Sequence, residues 1–197
     1  MSRSRAPREY QDVLESNAEE LERLRKMTED MLFLAKADSP QTGLALETFD
    51  ARDELDKVAE YFAVVAEDRQ VRVELQGNAP LLADRRLLQR ALNNLFANAL
   101  RHAPPGSVVH ARVQHAGGDV LISVSNAGPG IGAEHLPRIF DRFYRTDPSR
   151  PDSAESNGLG LAIVQSIMRM HGGGATAFSP PGALTTFTLR FPLRTDA

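Results

Sequence analysis

The first 38 residues constrain the fold most, because they predict one long helix that cannot be stable alone. No glycine or proline interrupts the chain between Pro7 and Asp38. Within that stretch, one set of positions recurs at alternating steps of three and four residues, which is typical of the seam of a coiled coil or helix bundle. The seam positions are Leu14, Asn17, Leu21, Leu24, Thr28, Met31 and Ala35. Because a helix gains most of its stability by packing an amphipathic face, we expect a second helix or another copy of the chain to cover this seam. Packing on the chain's own globular domain is the alternative.

The rest of the sequence predicts one α/β domain after a short linker. Residues 38–43 combine Asp, Ser, Pro, Gln, Thr and Gly, as turns do. The predicted strands are 44–50, 71–77, 108–114, 119–126, 175–179 and 184–191, and the predicted helices are 51–67, 84–101 and 160–170. The apolar face of helix 51–67 carries Leu55, Val58, Ala59, Phe62 and Val65. This order favours a two-layer α/β sandwich, in which helices cover one face of a mixed, mostly antiparallel sheet.

Composition excludes several classes of function. The sequence has no cysteine, so disulfides and cysteine-ligated zinc are excluded. A net charge of −3 argues against a nucleic-acid partner, because such proteins usually carry a basic excess. No apolar run approaches the roughly 18 residues of a membrane span, and the charged N-terminus does not resemble a signal peptide. We expect a soluble chain, attached to a membrane only through segments upstream of this sequence.

Three asparagines in the predicted helix 84–101 form the first candidate site. Asn94 and Asn98 lie four residues apart, so both amides project from one helical face. Arg101 and His102 follow one turn later. An amide oxygen can ligate a hard cation such as magnesium, and an arginine beside it can bind a phosphate oxygen. The structural alternative is that these amides cap or pair within the core.

A glycine-rich segment, SNAGPGIG, ends the predicted strand 119–126 and forms the second candidate site. Gly128 and Gly130 permit tight turns and the close approach of a ligand. The string also matches the dinucleotide-binding pattern G-x-G-x-x-A. We reject that interpretation, because the pattern requires a helix at the loop within a βαβ unit, whereas here the preceding strand belongs to a hairpin and Pro137 follows.

The segment NGLGLAIV, residues 157–164, forms the third candidate site. Gly158 and Gly160 lead directly into a predicted helix. Glycine-rich turns at a helix N-terminus offer free backbone N–H groups and the positive end of the helix dipole to an anion. The segment is not a P-loop, because the sequence contains no G-x-x-x-x-G-K-[ST] motif.

Four motifs, in this order, resemble those of one ATPase superfamily. The segment NNLFANALRH resembles the N box of histidine kinases, SNAGPGI the G1 box, IFDRFYR the F box and NGLGLAIV the G2 box. Together they resemble the Bergerat-type ATP-binding fold shared by gyrase, the Hsp90 chaperone, histidine kinases and MutL. The stretches LPRIFDRFYRTDPSR and DMLFLAKAD are most similar to those of heavy-metal (copper and silver) sensor kinases. The resemblance covers essentially the whole chain.

This resemblance implies that the chain binds ATP and Mg²⁺. It implies that Asn98 holds magnesium, with Asn94 as a second candidate ligand, and that these two and Arg101 are the catalytic residues. His102 takes the place of a ring beside the nucleotide. Asn126 replaces an aspartate that accepts a hydrogen bond from the adenine amino group, which removes a charge but keeps an acceptor oxygen. The implied ATP-binding residues are Asn94, Asn98, Arg101, His102, Asn126, Gly128, Gly130, Ile131, Phe140, Phe143, Gly158, Leu159, Gly160 and Leu161.

The resemblance also implies a lid over the nucleotide, from about Arg138 to Asn157. Phe140 and Phe143 are expected to anchor the start of this lid. The sequence departs from the family pattern at its end, where Ser156 and Asn157 stand in place of an expected glycine.

The family's phosphate acceptor is a histidine in the motif H-E-x-x-T-P, on the first helix of a helical hairpin. None of the five histidines has this context; they are His102, His110, His115, His135 and His171. All but His102 are interpreted as surface or capping residues, with His171 at a helix C-terminus, where a cation suits the dipole. Residues 1–38 then resemble the second hairpin helix, followed by a linker (39–46), the catalytic domain (47–193) and a tail (194–197).

The implied function is that of a two-component sensor histidine kinase. The chain would transfer the ATP γ-phosphoryl group to a histidine on a helix outside this sequence, for relay to a response regulator. The resemblance further implies a homodimer formed through the hairpin, a cytoplasmic location for this domain, and a parent protein in the bacterial inner membrane. Two alternatives remain open: a nucleotide switch or anti-sigma-type serine kinase of the same superfamily, and a non-enzymatic ATP-binding dimerisation or decoy module.

Overall fold

The computed structural model describes residues 7–37, 43–146 and 157–192. The helices are α1 (Pro7–Ala37), α2 (Ala51–Tyr61), α3 (Ala63–Asp68), α4 (Arg85–His102) and α5 (Gly160–Met170). The strands are β1 (Leu46–Asp50), β2 (Arg72–Gln76), β3 (Pro80–Asp84), β4 (Val108–Ala116), β5 (Asp119–Asn126), β6 (Gly174–Phe178) and β7 (Thr185–Pro192). Among these residues, no helix is long and apolar enough to cross a membrane.

Five strands form the main sheet, in the order β2-β4-β5-β7-β6. Strands β2 and β4 are parallel, and the other neighbours are antiparallel. The prediction of a mixed, mostly antiparallel sheet is therefore confirmed. Strand β3 was not predicted; it pairs with β1 in a separate two-stranded sheet. It is short and begins with Pro80, a residue type that is depleted in strands.

The helices pack on one face of the main sheet, as predicted. Alternate residues of β4, β5 and β7 are buried against them, while the opposite face is polar. On that polar face the hydroxyls of Ser125 and Thr186 lie 2.8 Å apart. The apolar layer above the sheet comes mainly from α4 and α5; its largest members are Leu88, Leu92, Leu95, Phe96, Leu100, Ile163 and Ile167.

The helix predicted at 51–67 is divided into α2 and α3, which the sequence did not indicate. Phe62 lies at the break, with φ −91° and ψ 4°, and its ring stacks on Phe96 of α4 at a centroid distance of 6.2 Å. After the break, Ala66 is buried and Val65 is exposed. The expectation that Val65 belongs to the buried face is therefore wrong, because the change of direction at Phe62 turns Ala66 toward the core instead.

Helix α1 packs on the domain only through its C-terminal turns. Leu34 is buried, and Asp30 Oδ1 accepts a hydrogen bond from Arg90 Nη2 of α4 at 2.7 Å. The guanidinium of Arg90 also lies over the ring of Phe33, 4.1 Å from its centroid. The predicted seam stays uncovered at its large apolar positions, which are Leu14, Leu21, Leu24 and Met31. Contact with the chain's own domain is thus real but limited to one end of the helix, and a helical partner for the seam stays a prediction.

The predicted domain boundaries fall largely outside the described residues. Residues 38–42 lie outside them, and β1 begins at Leu46, the last residue of the predicted linker. The predicted tail, 194–197, also lies outside them.

His171 ends α5 as predicted, but it is buried and uncharged. Its Nε2 accepts a hydrogen bond from the Asp84 backbone N–H at 3.0 Å, and its Nδ1 donates to the Ile167 carbonyl at 2.8 Å. An Nε2 that accepts carries no proton, so the ring is neutral. The expectation of a cation at this helix end is wrong, because the ring joins α5 to the residue that caps α4.

Candidate functional site

The predicted site residues gather around one cleft of about 480 Å³. Its walls are α4, the loop after β5, residues 130–146, the start of α5 and one side of α1. The predicted residues that line it are Asn94, Asn98, Arg101, His102, Asn126, Gly128, Gly130, Ile131, Gly158, Gly160 and Leu161. Phe140, Phe143 and Leu159 are not among the lining residues. Segments far apart in the sequence therefore meet at a single site.

Helix α4 presents one polar face to the cleft. Asn94, Ala97, Asn98 and Arg101 line the cleft at positions i, i+3, i+4 and i+7, while the opposite face is buried in the core. The Asn94 side-chain nitrogen donates to the Arg90 carbonyl at 2.9 Å. This bond fixes the amide and leaves its oxygen toward the start of α5, where a Cβ on Gly160 would lie 2.8 Å from it.

The end of α4 is supported by an arginine that the sequence did not single out. Arg69 Nη1 lies 3.4 Å from the Leu100 carbonyl oxygen and 3.3 Å from that of Arg101. A cation at the last carbonyls of a helix satisfies unpaired acceptors and complements the dipole. Arg69 therefore stabilises the turn that carries Arg101 and His102.

The loop after β5 places an acceptor and a close backbone approach in the cleft. Asn126 is 3% exposed, and its side-chain nitrogen donates to the Ala127 carbonyl at 2.7 Å. The amide oxygen is the group left to accept a hydrogen bond from a ligand. A Cβ on Gly128 would lie 2.7 Å from the His102 carbonyl oxygen. Only glycine fits where the loop crosses the end of α4.

Two buried hydroxyl groups hold this loop against the β6–β7 hairpin. The Ile131 backbone N–H donates to Ser179 Oγ at 2.8 Å, and Ser179 Oγ lies 2.7 Å from Thr185 Oγ1. Thr185 in turn lines the cleft. No local sequence pattern indicates this pair, because Ser179 lies 48 residues after Ile131, which it supports.

The start of α5 provides the glycine turn predicted to bind an anion. Gly158 has φ +67°, and its carbonyl accepts from the Phe143 N–H at 2.9 Å. Leu159 is fully buried and anchors the first turn in the core. Within the described chain, α5 begins without a side-chain cap. Its first backbone N–H groups are therefore available to a negatively charged ligand.

The predicted start of the lid is anchored in two different ways. The ring of Phe140 packs edge-on against Phe187, with centroids 6.4 Å apart. Phe143 is 51% exposed, so it contributes its backbone bond to Gly158 rather than its ring. Tyr144 lines the cleft, and its hydroxyl lies 2.7 Å from His135 Nδ1. Residues 147–156 of the predicted lid lie outside the described residues.

The cleft also contains residues that the sequence did not assign to it. His135, interpreted as a surface or capping residue, contributes to its wall. Lys26 and Asp30 come from α1, and Thr185 and Phe187 from β7. The remaining ones are Ala97, Pro129, Gly132 and Glu134, together with Ile139, Tyr144, Arg145, Thr146 and Asn157 of the predicted lid, none of which was singled out as a binding residue. Most of these are sequence neighbours of the glycine-rich loop or of the F-box segment, whereas the α1 and β7 residues arrive only through tertiary packing.

The family model for the histidine kinase-, DNA gyrase B- and HSP90-like ATPases matches residues 83–195. The chain belongs to this family. The ATPase family model includes the cleft-lining face of α4 and both glycine-rich segments, so it covers most of the site described above. The resemblance drawn from the four motifs is confirmed.

Curated relatives of this ATPase-family chain are sensor proteins. The chain is 50% identical over 192 residues to the sensor protein IrlS of Burkholderia pseudomallei, covering 98% of the chain and 41% of that protein. It is 46% identical over 193 residues to the sensor protein CzcS of Cupriavidus metallidurans, covering 98% of the chain and 40% of that protein. The sensor histidine kinase CusS of Escherichia coli K12 is 45% identical, with 98% and 40% covered. The chain thus spans about two fifths of the length of these relatives.

Solved structures of histidine kinases share the fold. Full-length ShkA, in complex with AMPPNP, superposes with a TM-score of 0.80 at 26% identity, covering 100% of this chain and 41% of that one. The Acinetobacter baumannii histidine kinase AdeS superposes with a TM-score of 0.78 at 24% identity, covering 92% and 84%. The predicted fold class is confirmed, and the comparisons do not favour the serine-kinase or non-enzymatic alternatives.

Proposed function

We propose that this chain is the ATP-binding catalytic part of a two-component sensor histidine kinase. The observation that carries the proposal is the single cleft in which the α4 asparagines, Asn126 and the glycines of two distant loops meet. The cleft lining includes residues of all four motifs that carry the resemblance, and the curated relatives are sensor proteins. A cleft of about 480 Å³ is of the size that takes a small-molecule ligand.

The residues present fit ATP and Mg²⁺. The amide oxygens of Asn94 and Asn98 are ligands suited to a hard cation, which takes its other ligands from water and phosphate. The glycine positions leave no room for side chains where a ligand would pass: a Cβ on Gly128 or Gly160 would lie within 2.8 Å of a neighbouring oxygen. ATP and magnesium are therefore the cofactors we assign to the cleft.

Each wall of the cleft has a distinct role in this proposal. The Asn126 oxygen accepts a hydrogen bond from the adenine amino group, and His102 flanks the base. Arg101 and the first N–H groups of α5 bind the phosphates. Asn98 holds the metal, with Asn94 as its second candidate ligand. Phosphoryl transfer requires little covalent chemistry from the protein, so these groups act by positioning and by neutralising charge.

The nucleophile in this proposal is a histidine on a helix that is not part of this sequence. Helix α1 is the second helix of the dimerisation hairpin, and its uncovered apolar seam accommodates the first one. The phosphoryl group then passes to an aspartate of a response regulator. The intact kinase is a homodimer anchored in the bacterial inner membrane by other segments, with this domain in the cytoplasm.

Calorimetric titration of ATP against the Asn98→Ala variant tests the metal site directly. We expect loss of most magnesium-dependent ATP binding, because removing a metal ligand costs several kcal/mol of charge neutralisation. Asn93→Ala is the matched control, since Asn93 is the exposed neighbour on the same helix and does not line the cleft. Equal magnesium-dependent affinity in Asn98→Ala and Asn93→Ala would refute the assignment.

A further inference from the structure

Helix α1 brings a lysine to the cleft that nothing in the four motifs accounts for. Lys26 lines the cleft, as does Asp30 one turn later on the same face of α1. The rest of the cleft comes from elements that follow β1 in the sequence. The helix therefore contributes to the binding site itself and does not serve only as a connection.

Two contacts fix where on the cleft α1 lies. Asp30 pairs with Arg90 at 2.7 Å, and the Arg90 guanidinium lies over the Phe33 ring. Arg90 precedes Asn94 by one helical turn, so α1 meets α4 at its Asn94 end. That end is opposite to the one where Gly128 crosses the His102 carbonyl. It is also the end where Asn94 faces the first turn of α5.

The charges at this end favour an anion. Lys26 is exposed to solvent, and it interacts electrostatically with Glu22, one turn earlier on α1, whose carboxylate is already paired with Arg25. The charge of Asp30 is already matched by Arg90. The Lys26 ammonium thus adds a positive charge to the cleft that also carries the first N–H groups of α5.

We propose that Lys26 binds the terminal phosphates of the nucleotide and thereby couples nucleotide binding to the docking of α1. This inference rests on the proposed function of the cleft. Lys26 reaches the phosphates only when α1 is docked on the domain. Binding of a nucleoside triphosphate therefore strengthens the docking of α1. By linkage, docking strengthens triphosphate binding by the same factor. A nucleotide that ends at the α-phosphate does not reach Lys26, so its affinity does not depend on whether α1 is docked.

The test compares ATP, ADP and AMP titrated into the 197-residue chain and its variants, with magnesium and at low salt. Lys26→Met should lower ATP affinity about twofold to fivefold, as expected for one partly exposed charge pair. AMP affinity should not change, and Lys26→Arg should restore ATP binding. Arg23→Met is the matched control, because it removes one cation from the same helix at a residue that does not line the cleft. The loss should shrink as salt is raised.

Hydrogen exchange of residues 27–34 provides a second readout. In the wild type, ATP should slow exchange there more than AMP does, and in Lys26→Met the two nucleotides should have equal effects. If the wild type binds ATP but Lys26→Met behaves like Arg23→Met in both measurements, the inference is overturned and the proposed function stands. If the wild type does not bind ATP, the proposed function fails and this inference fails with it.

Discussion

Replacing Gly158 by alanine perturbs the point where the two ends of the predicted lid meet. Gly158 has φ +67°, a conformation that costs a residue with a Cβ about 1–2 kcal/mol. A Cβ at this position would also lie 2.8 Å from the Phe143 Cα and carbonyl carbon and 3.1 Å from the Tyr144 oxygen. These are backbone atoms, which cannot rotate away. Alanine therefore adds displacement of the 143–144 segment to the conformational strain.

The Gly182→Ala variant separates the two effects. Gly182 has φ +74°, but a Cβ there would meet no atom within 4 Å. Chemical denaturation should show that Gly182→Ala loses about 1–2 kcal/mol of unfolding free energy or less from strain alone, and that Gly158→Ala loses more, because displacement of the 143–144 segment adds to the strain. Calorimetry should distinguish the two variants by their affinity for ATP. Gly158→Ala should bind ATP at least about tenfold more weakly than the wild type, because Gly158 and Tyr144 both line the cleft. Gly182→Ala should bind as the wild type does.

Equal ATP affinity in the two variants would refute this reasoning. It would mean that contact between Gly158 and the Phe143–Tyr144 backbone has no part in shaping the cleft. A fall in ATP affinity in both variants would equally count against it, since strain alone would then explain the loss.

Two further predictions concern the packing that supports the cleft. Glu54 is fully buried on α2 and accepts from Lys57 at 2.7 Å, Arg85 at 2.6 Å and Gln89 at 2.5 Å. Glu54→Ala should lower the unfolding free energy by about 2–4 kcal/mol in urea denaturation, because it breaks a buried ion pair. The control Glu60→Ala, at an exposed residue, should change the unfolding free energy by less than about 0.5 kcal/mol. Similar values for the two variants would contradict the role of the Glu54 network. His171→Leu should lower the unfolding free energy by about 1–3 kcal/mol, because it leaves the Asp84 N–H without its acceptor. A loss no greater than that of His115→Leu, at an exposed residue, would show that this hydrogen bond is unimportant for stability.

Local sequence patterns predicted the parts of the site that each lie within one element. Asn94 and Asn98 share a face because both lie on α4. Gly128 and Gly158 stood out as glycines in turn-rich segments, although the backbone that each approaches, at His102 and at Phe143, belongs to another segment. Periodicity also predicted the order of helices and strands, apart from β3 and the division of α2 from α3, and it predicted a mixed, mostly antiparallel sheet. It did not predict the strand order β2-β4-β5-β7-β6 or the separate pairing of β1 with β3.

The rest of the site depends on tertiary contacts, which leave no periodic trace in the sequence. Ser179 supports Ile131 across 48 residues, and a single serine in a turn carries no local signal. Lys26 reaches the cleft because α1 docks on the domain through Leu34 and through the contacts of Asp30 and Phe33 with Arg90. The break at Phe62 also has a tertiary origin, since the ring stacks on Phe96 of another helix. His171 was assigned a charge from its position at a helix end, but burial and the Asp84 N–H decide its state.

Phosphoryl transfer to a separate helix tests the central claim most directly. The chain would be incubated with magnesium and ATP radiolabelled at the γ-phosphate, first alone and then with a peptide carrying a histidine in an H-E-x-x-T-P motif. None of its own histidines has this context, so no label should appear on the chain alone. With the peptide, acid-labile and base-stable label should appear on the peptide, because α1 and the cleft hold its histidine in line with the γ-phosphate. Label on the chain alone would show that an acceptor lies within this sequence, and label on neither component would contradict the assignment of a histidine kinase.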